Sequence, residues 1–369
     1  MSRAPHIVWY LTAHGYGHGV RSTAVMQALR RECPGVRLTV VSALPEDFLR
    51  DRLRGFPDGA LEFRRAAFDV GLVQLDSVRA DIPATLEKVK ALLARRPALI
   101  DSETDWLSAA EADIVIADIP AIPLAAAAQA GLPCIAIGNF SWDWIYAPYM
   151  ESDPSWQPAV DAFRADYATA DVLLQYPLSP DMSATFPRHL DIPLPSRPGR
   201  ARRVELAART GADPARRWIL LSFTTLDWTP EALARVAAIR DTEFFTVRPL
   251  EWPGIPNIHA VARCEFPFSD IVATVDAVLS KPGFGILADC AANDKPLVYA
   301  DRQDFAEYPV LERAIKRHLT HVHIPAADLY AGNLAPSLDS LASAPPPPHR
   351  LPLGGDTAAV KEILRRARA

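Results

Sequence analysis

Two histidines four residues apart, His14 and His18, stand in the run His14-Gly15-Tyr16-Gly17-His18-Gly19, the first place in the chain where residue types and spacing suggest chemistry. An imidazole exchanges its proton near neutral pH, so a histidine on a glycine turn before a helix suits a general base. The same turn frees backbone N–H groups, which favour a negatively charged ligand. A histidine base needs an acid to fix its tautomer and stabilise the imidazolium. Asp118 closes the apolar run Ile114 to Ala117, and Asp143 falls within Asn139-Phe140-Ser141-Trp142-Asp143-Trp144; the sequence does not choose between them. As a metal pair the two histidines lack a recognisable third ligand, so no metal is expected. The glycines at 15, 17 and 19 match neither G-x-G-x-x-G nor G-x-x-x-x-G-K-[ST], and the next strand ends at Ser42 without an acid for a ribose. No G-x-S-x-G, H-E-x-x-H or D-x-D motif occurs. The competing structural reading is a tight turn carrying two incidental histidines.

A second turn of this kind is Ser280-Lys281-Pro282-Gly283-Phe284-Gly285, with Asp289 six residues past Gly283. A helix N-terminus at Gly283 to Gly285 suits a phosphate, and a carboxylate early on that helix suits a ribose diol. An acid placed favourably near a helix start is the structural alternative. In the loop before it, Phe266 and Phe268 form a wall for a base or belong to the core. The polar run from Asp301 to Tyr308, which includes Asp304 and Glu307, follows the apolar strand Leu297 to Ala300 and can hold sugar hydroxyls. His318, His321 and His323 read as a polar strand end.

These turns must be positioned by strands and helices, and the pattern supplies them. Short apolar runs at 6–11, 37–41, 114–117, 133–137 and 171–175 alternate with helical patterns near 18–31, 45–54, 83–110, 121–130 and 156–168. Prolines at 187, 193, 195 and 198 mark a linker, after which the alternation restarts with strands at 218–222, 243–247, 258–261, 277–280, 297–300 and 320–324. The expected fold is α/β, two Rossmann-like domains facing a cleft: residues 1–192, residues 193–352, and a final helix in 353–369 that crosses back to the first domain. A chain of 369 residues with 49% hydrophobic content can bury two cores. A formal net charge of -5 gives no basic surface, so no nucleic-acid partner is expected. Four widely spaced cysteines with no C-x-x-C, no signal-like leader and no long apolar run point to a cytoplasmic protein without an integral membrane segment.

With these residues in hand, the chain resembles the GT-B glycosyltransferases over essentially its whole length. Gly17-His18-Gly19 is similar to the glycine-histidine turn of plant-type enzymes and of the lipid II N-acetylglucosaminyltransferase, whose histidine faces the acceptor. Gly283 through Asp289, followed by Pro296, is similar to their donor signature, with the acid on the ribose and Glu307 and Tyr308 in the donor-sugar loop. His14 to His18, Asn139 to Tyr146, and Lys281 with Gly283-Phe284-Gly285 also resemble the glycosyltransferase-like half of plant L-arabinokinases. The kinase half's phosphate loop has no counterpart in these residues, so sugar kinase activity is not implied. One departure stands out: Phe223-Thr224-Thr225-Leu226-Asp227 occupies the place of a glycine-rich turn near the diphosphate, where the hydroxyls of Thr224 and Thr225 can substitute.

The resemblance implies an inverting, metal-independent glycosyltransferase with His18 as general base, supported by Asp118 or Asp143. The nucleotide-sugar donor, favoured as a UDP-sugar, would be a co-substrate rather than a cofactor. It would meet Thr224, Phe266, Phe268, Lys281, Gly283, Phe284, Gly285, Asp289, Asp304, Glu307 and Tyr308. An acceptor of unknown identity would meet His14, Tyr16, Asn139, Trp142 and Trp144. A nucleotide-sugar epimerase of the same fold and a non-catalytic nucleotide-sugar or sugar-binding protein are the alternatives.

Overall fold

A computed structural model describes residues 4–75, 79–262, 264–302 and 305–367. The chain divides into two compact units, the first from residues 1–73, 81–195 and 353–369, the second from residues 74–80 and 196–352.

The first unit holds strands β1 (His6–Leu11), β2 (Arg37–Ser42), β3 (Leu61–Arg64), β4 (Ile114–Asp118), β5 (Cys134–Gly138), β6 (Val172–Gln175) and β7 (His189–Asp191). Its helices are α1 (Tyr16–Glu32), α2 (Glu46–Arg52), α3 (Ile82–Ala109), α4 (Ile122–Gln129), α5 (Trp142–Tyr146) and α6 (Gln157–Tyr167). The strands form one parallel sheet in the order β3-β2-β1-β4-β5-β6-β7. Every residue of β1, β4 and β5 is buried, as expected of central parallel strands covered on both faces, where each apolar side chain contributes roughly 1.5–3 kcal/mol. Helix starts follow local chemistry: Asp81 caps α3 by accepting from the Ala84 N–H at 2.9 Å, with Pro83 in the first turn.

The second unit holds β8 (Arg217–Ser222), β9 (Thr242–Val247), β10 (Ile258–Val261), β11 (Ala277–Ser280), β12 (Leu297–Ala300) and β13 (His321–Ile324), parallel in the order β10-β9-β8-β11-β12-β13. Its helices are α7 (Arg203–Thr210), α8 (Pro230–Ala237), α9 (Phe268–Thr274), α10 (Phe284–Ala292), α11 (Tyr308–His318), α12 (Ala326–Ala331) and α13 (Ala335–Ser340). The core sits around Ile219, Leu221, Phe244, Leu279 and Val298. The chain then returns to the first unit as α14 (Gly355–Ala367), which packs on α1. Its first residue donates to the Leu194 carbonyl at 2.9 Å, and a Cβ on Gly355 would collide with the Pro193 oxygen, so only glycine allows this approach. Among the described residues no helix is long and apolar enough to cross a membrane.

Both sheets reverse direction once. In the first, the reversal falls between β1 and β4, whose ends meet with Leu11 opposite Asp118. In the second it falls between β8 and β11, with Ser222 opposite Ser280. Loops leaving the carboxyl ends on either side of such a switch point diverge and leave room for a ligand.

Strands β3 and β7, and helices α5, α12 and α13, go beyond the sequence pattern. Both strands are short sheet edges: β3 has no fully buried residue, with Glu62 exposed and its other three residues half-buried, and β7 is exposed at all three positions. Strand β7 lies inside the proline-rich stretch expected to be linker, between Pro187 and Pro193, where an edge position spares proline from a ladder.

Candidate functional site

At the first switch point, β1 runs through Thr12 into the glycine turn, and α1 begins without a side-chain cap. His18 and Arg21, one turn apart on α1, both face inward; His18 is 8% and Arg21 5% exposed. They meet Asp118, the fully buried last residue of β4. Its Oδ1 accepts from His18 Nδ1 at 2.9 Å and from Arg21 Nη2; its Oδ2 accepts from Arg21 Nε at 2.9 Å and from Ser22 Oγ at 2.6 Å. Arg21 Nη1 donates to Asn139 Oδ1 at 2.6 Å, and the guanidinium lies 5.3 Å from the centre of the Tyr176 ring. Arg21 Nη2 is also 2.9 Å from His18 Nδ1.

His18 Nδ1 stands 2.9 Å from an oxygen that only accepts, Asp118 Oδ1, and 2.9 Å from a nitrogen that only donates, Arg21 Nη2. Because Nη2 already donates to Oδ1, we place the imidazole proton on Nδ1 toward Asp118, which leaves Nε2, without a hydrogen-bond partner among the described residues, as the lone-pair nitrogen. Burial and then the Arg21 charge lower the His18 pKa from 6.5, against the pull of Asp118. Burial alone would raise the Asp118 carboxyl, but Arg21 and His18 hold it far below the usual range.

Around this group lies an aromatic wall from the loop after β5. The Phe140 ring meets His18 edge-on at 5.5 Å and Trp142 at 5.1 Å, while Trp142 meets His14 at 5.3 Å and stacks on Tyr146. Trp142 Nε1 donates to Asp69 Oδ2 at 2.9 Å. Burial pushes the Asp69 carboxyl up to about 6, with the Asp118 charge adding to it and hydrogen bonds from Thr12 and Trp142 opposing. His14 Nδ1 accepts from the Leu72 N–H at 3.3 Å beside Gly71, whose φ is +71°.

The two candidate acids thus separate. Asp143 accepts from Thr185 Oγ1 at 2.5 Å and lies 3.4 Å from Arg164 Nε, so it is bonded into the fold away from His18, and Asp118 is the histidine's partner. Asn139 is fully buried as the acceptor of Arg21, and Trp142 is 1% exposed, so both build the wall from within. Tyr16 is 47% exposed against Phe48, and Trp144 is half-buried. Arg21, Ser22 and Asp69 are functional candidates that no sequence motif marked.

At the second switch point, Ser280 Oγ donates to the Ser222 carbonyl at 2.7 Å and ties the two strand ends together. Helix α10 follows Gly283 with no side-chain cap, and a Cβ at Gly283 would meet nothing within 4 Å. Lys281 and Asp289 are half-buried and Phe284 is buried, while Thr224 on the opposing loop is exposed. Arg302 Nη1 donates to the Pro282 carbonyl at 3.2 Å, its guanidinium lies 3.2 Å from the Phe305 ring centre, and burial lowers its pKa to about 10, which leaves it charged at neutral pH. Phe266 is buried beneath the Arg202 guanidinium, which makes it a core ring; Phe268, at the start of α9, is half-exposed. Glu307 stands at the N-cap of α11, and the Tyr308 hydroxyl donates to Asp301 Oδ1 at 3.2 Å, which also accepts from His323 Nε2 at 2.7 Å. Asp304 lies outside the described residues. Among the described residues no group of three or more His, Cys, Asp or Glu side chains could hold a metal ion.

No protein-family profile matches the chain. It is 28% identical over 347 residues to L-arabinokinase of Arabidopsis thaliana, a match that covers 92% of this chain and 32% of that protein. The chain therefore spans about a third of that relative's length. Among solved structures it is similar to CalG4, the calicheamicin glycosyltransferase (TM-score 0.62, 16% identity, 100% of this chain and 94% of that one). It is also similar to a UDP-glucosyltransferase from Polygonum tinctorium (TM-score 0.64, 14% identity, 99% of each chain). A third likeness is to LpCGTa, solved in complex with UDP (TM-score 0.59, 15% identity, 99% of this chain and 94% of that one). The fold is that of the GT-B glycosyltransferases, two Rossmann-like units built on parallel sheets.

Proposed function

We propose that the chain is a glycosyltransferase that moves a sugar from a nucleotide-sugar donor, a UDP-sugar before others, to an acceptor nucleophile, with inversion and without a metal ion. The observation that carries this reading is the His18–Asp118 pair at the switch point of the first sheet, where an oriented imidazole presents an unpartnered Nε2. In the proposed step, His18 Nε2 takes the proton of the acceptor O–H as that oxygen attacks the anomeric carbon. The bond from that carbon to the diphosphate breaks on the opposite face, and the electron pair leaves with the diphosphate. The N–H groups at the start of α10 would receive that negative charge, with Arg302 beside the turn and Asp289 for the ribose. The similar structures named as a UDP-glucosyltransferase and as a UDP complex support a UDP-sugar.

The test is a thermal-shift screen against UDP, GDP, dTDP, CMP and their sugars, because a ligand that binds only the folded state raises apparent stability. UDP and UDP-sugars are expected to respond, and a silent screen sinks the donor assignment. Transfer is then assayed in the wild type and in His18→Ala, which should keep the UDP response and lose transfer.

A second reading, binding without turnover, is favoured by one feature: Arg21 already satisfies both oxygens of Asp118, which weakens its hold on an imidazolium. Tight UDP-sugar binding with no transfer across many acceptors and no conversion of the donor alone selects it.

A further inference from the structure

We propose that Arg21 is a positioning residue that supplies the countercharge of Asp118, so that His18 stands uncharged at neutral pH with its Nδ1 proton held and its Nε2 open. Arg21 is 5% exposed and Asp118 fully buried, and an ionised carboxylate at such a depth requires a cationic partner. Two groups compete for that place from the same face of α1, His18 and Arg21, three residues apart. The guanidinium takes it by reaching both oxygens, Nε to Oδ2 and Nη2 to Oδ1, while Nη1 is anchored on Asn139. The imidazole reaches only Oδ1, through the Nδ1 that Arg21 Nη2 also approaches at 2.9 Å.

The charges around His18 can be counted element by element. Arg21 faces it from its own helix, and Asp118 faces it from β4. Asp69, after β3, feels the Asp118 charge, and the groups that move His18 itself are Arg21 and Asp118. Tyr176, after β6, lies under Arg21 and also feels the buried Asp356 of α14, which pairs with Arg31 at 3.6 Å, and the loop after β5 contributes the uncharged Phe140 and Asn139. With a neutral imidazole the immediate group sums to zero; a proton on His18 leaves a net positive charge in a buried place. Without Arg21, the same Asp118 charge would draw a proton onto His18 instead.

The meaning of this for catalysis rests on the reading of His18 as a base, but the charge state does not, so the two are tested apart. Histidine NMR titration of the whole chain compares wild type with Arg21→Met, or with Arg21→Gln where the methionine variant fails to fold. Wild-type His18 is expected to titrate below 6.5. Either neutral variant is expected to titrate above 6.5, its imidazole binding a proton at least about tenfold more tightly than in wild type. Arg21→Lys, which keeps the charge, should remain below 6.5. A His18 midpoint unchanged by loss of the guanidinium, or a wild-type His18 already charged at pH 7, overturns the proposal. The thermal response to UDP, measured on the same proteins, reports separately on the donor reading.

Discussion

His18 Nδ1 and Asp118 Oδ1 lie 2.9 Å apart although 100 residues separate them in the chain. The distance is set by the sheet. Because β1 and β4 are parallel neighbours in register, the turn that follows Leu11 and the last residue of β4 emerge at the same edge. Packing of the most buried strands therefore fixes the pair's geometry, a favourable support for a group that must keep one tautomer.

Asp118→Asn removes the anion but keeps the shape. The Arg21 guanidinium is then buried without its countercharge, and breaking a buried pair this way costs about 3–5 kcal/mol. Urea denaturation at pH 7 should show a loss of this size. On the proposed mechanism, transfer should also fall by about 10²-fold or more, with UDP binding retained.

The pH profile follows from the direction of the His18 shift. A base must be neutral to act, and burial with Arg21 moves its titration below 6.5. The wild-type kcat/KM should be flat from pH 7 upward and fall only on the acid side of 6.5. A limb centred above pH 7 would exclude His18 in this environment as the base.

Asp69 gives a stability signature of opposite sign. Its carboxyl is raised from 3.8 to about 6, so the folded state holds this proton more tightly than the unfolded chain. The associated stability is fully present below pH 3.8 and is lost as pH rises through 6. Asp69→Asn escapes that loss. Relative to wild type it should gain roughly 1–3 kcal/mol between pH 4 and pH 7, solvent screening trimming the upper figure, as read from urea midpoints at both pH values.

Two glycines with similar backbones should respond differently to alanine. Gly71 and Gly59 have φ of +71° and +75°, so both substitutions carry left-handed strain of about 1 kcal/mol. At Gly59 nothing lies within 4 Å, whereas at Gly71 the new Cβ would collide with His14 Nδ1. Gly71→Ala should lower Tm clearly more than Gly59→Ala, and the His14 NMR signals should move in the first variant alone.

Gly283→Ala separates fold from ligand. The residue is extended and a Cβ there meets no protein atom within 4 Å, so Tm should hold within about a degree. On the proposed donor assignment the methyl group intrudes where a diphosphate approaches the amides, and UDP affinity should drop at least about tenfold by calorimetry. Unchanged affinity would move the diphosphate elsewhere.

The sequence was legible wherever burial was complete on both sheet faces. Strands such as Ile114 to Ala117 read as continuous apolar runs, and glycine turns marked both switch points. The edges were not legible, since Leu61–Arg64 is at most half-buried, His189–Asp191 is exposed throughout, and neither carries an apolar run. Within the site, His18 was visible because glycines frame it. Arg21 was not: a charged residue in a helical pattern reads as solvent-facing, and its burial depends on an acid 97 residues away. The choice between Asp118 and Asp143 turned on Thr185 and Arg164, which no local pattern links to Asp143.

The return of α14 to α1 has a consequence for how the molecule is made. Apart from residues 74–80, the second unit is an insertion between residues 195 and 353 of the first, so the first unit begins synthesis early but receives its closing helix only after all of the second has been translated. Until then the α1 surface that α14 covers is bare, and Arg31 lacks the Asp356 partner it meets at 3.6 Å. A growing chain can complete its second unit first, although the site residues of the first lie nearer the start.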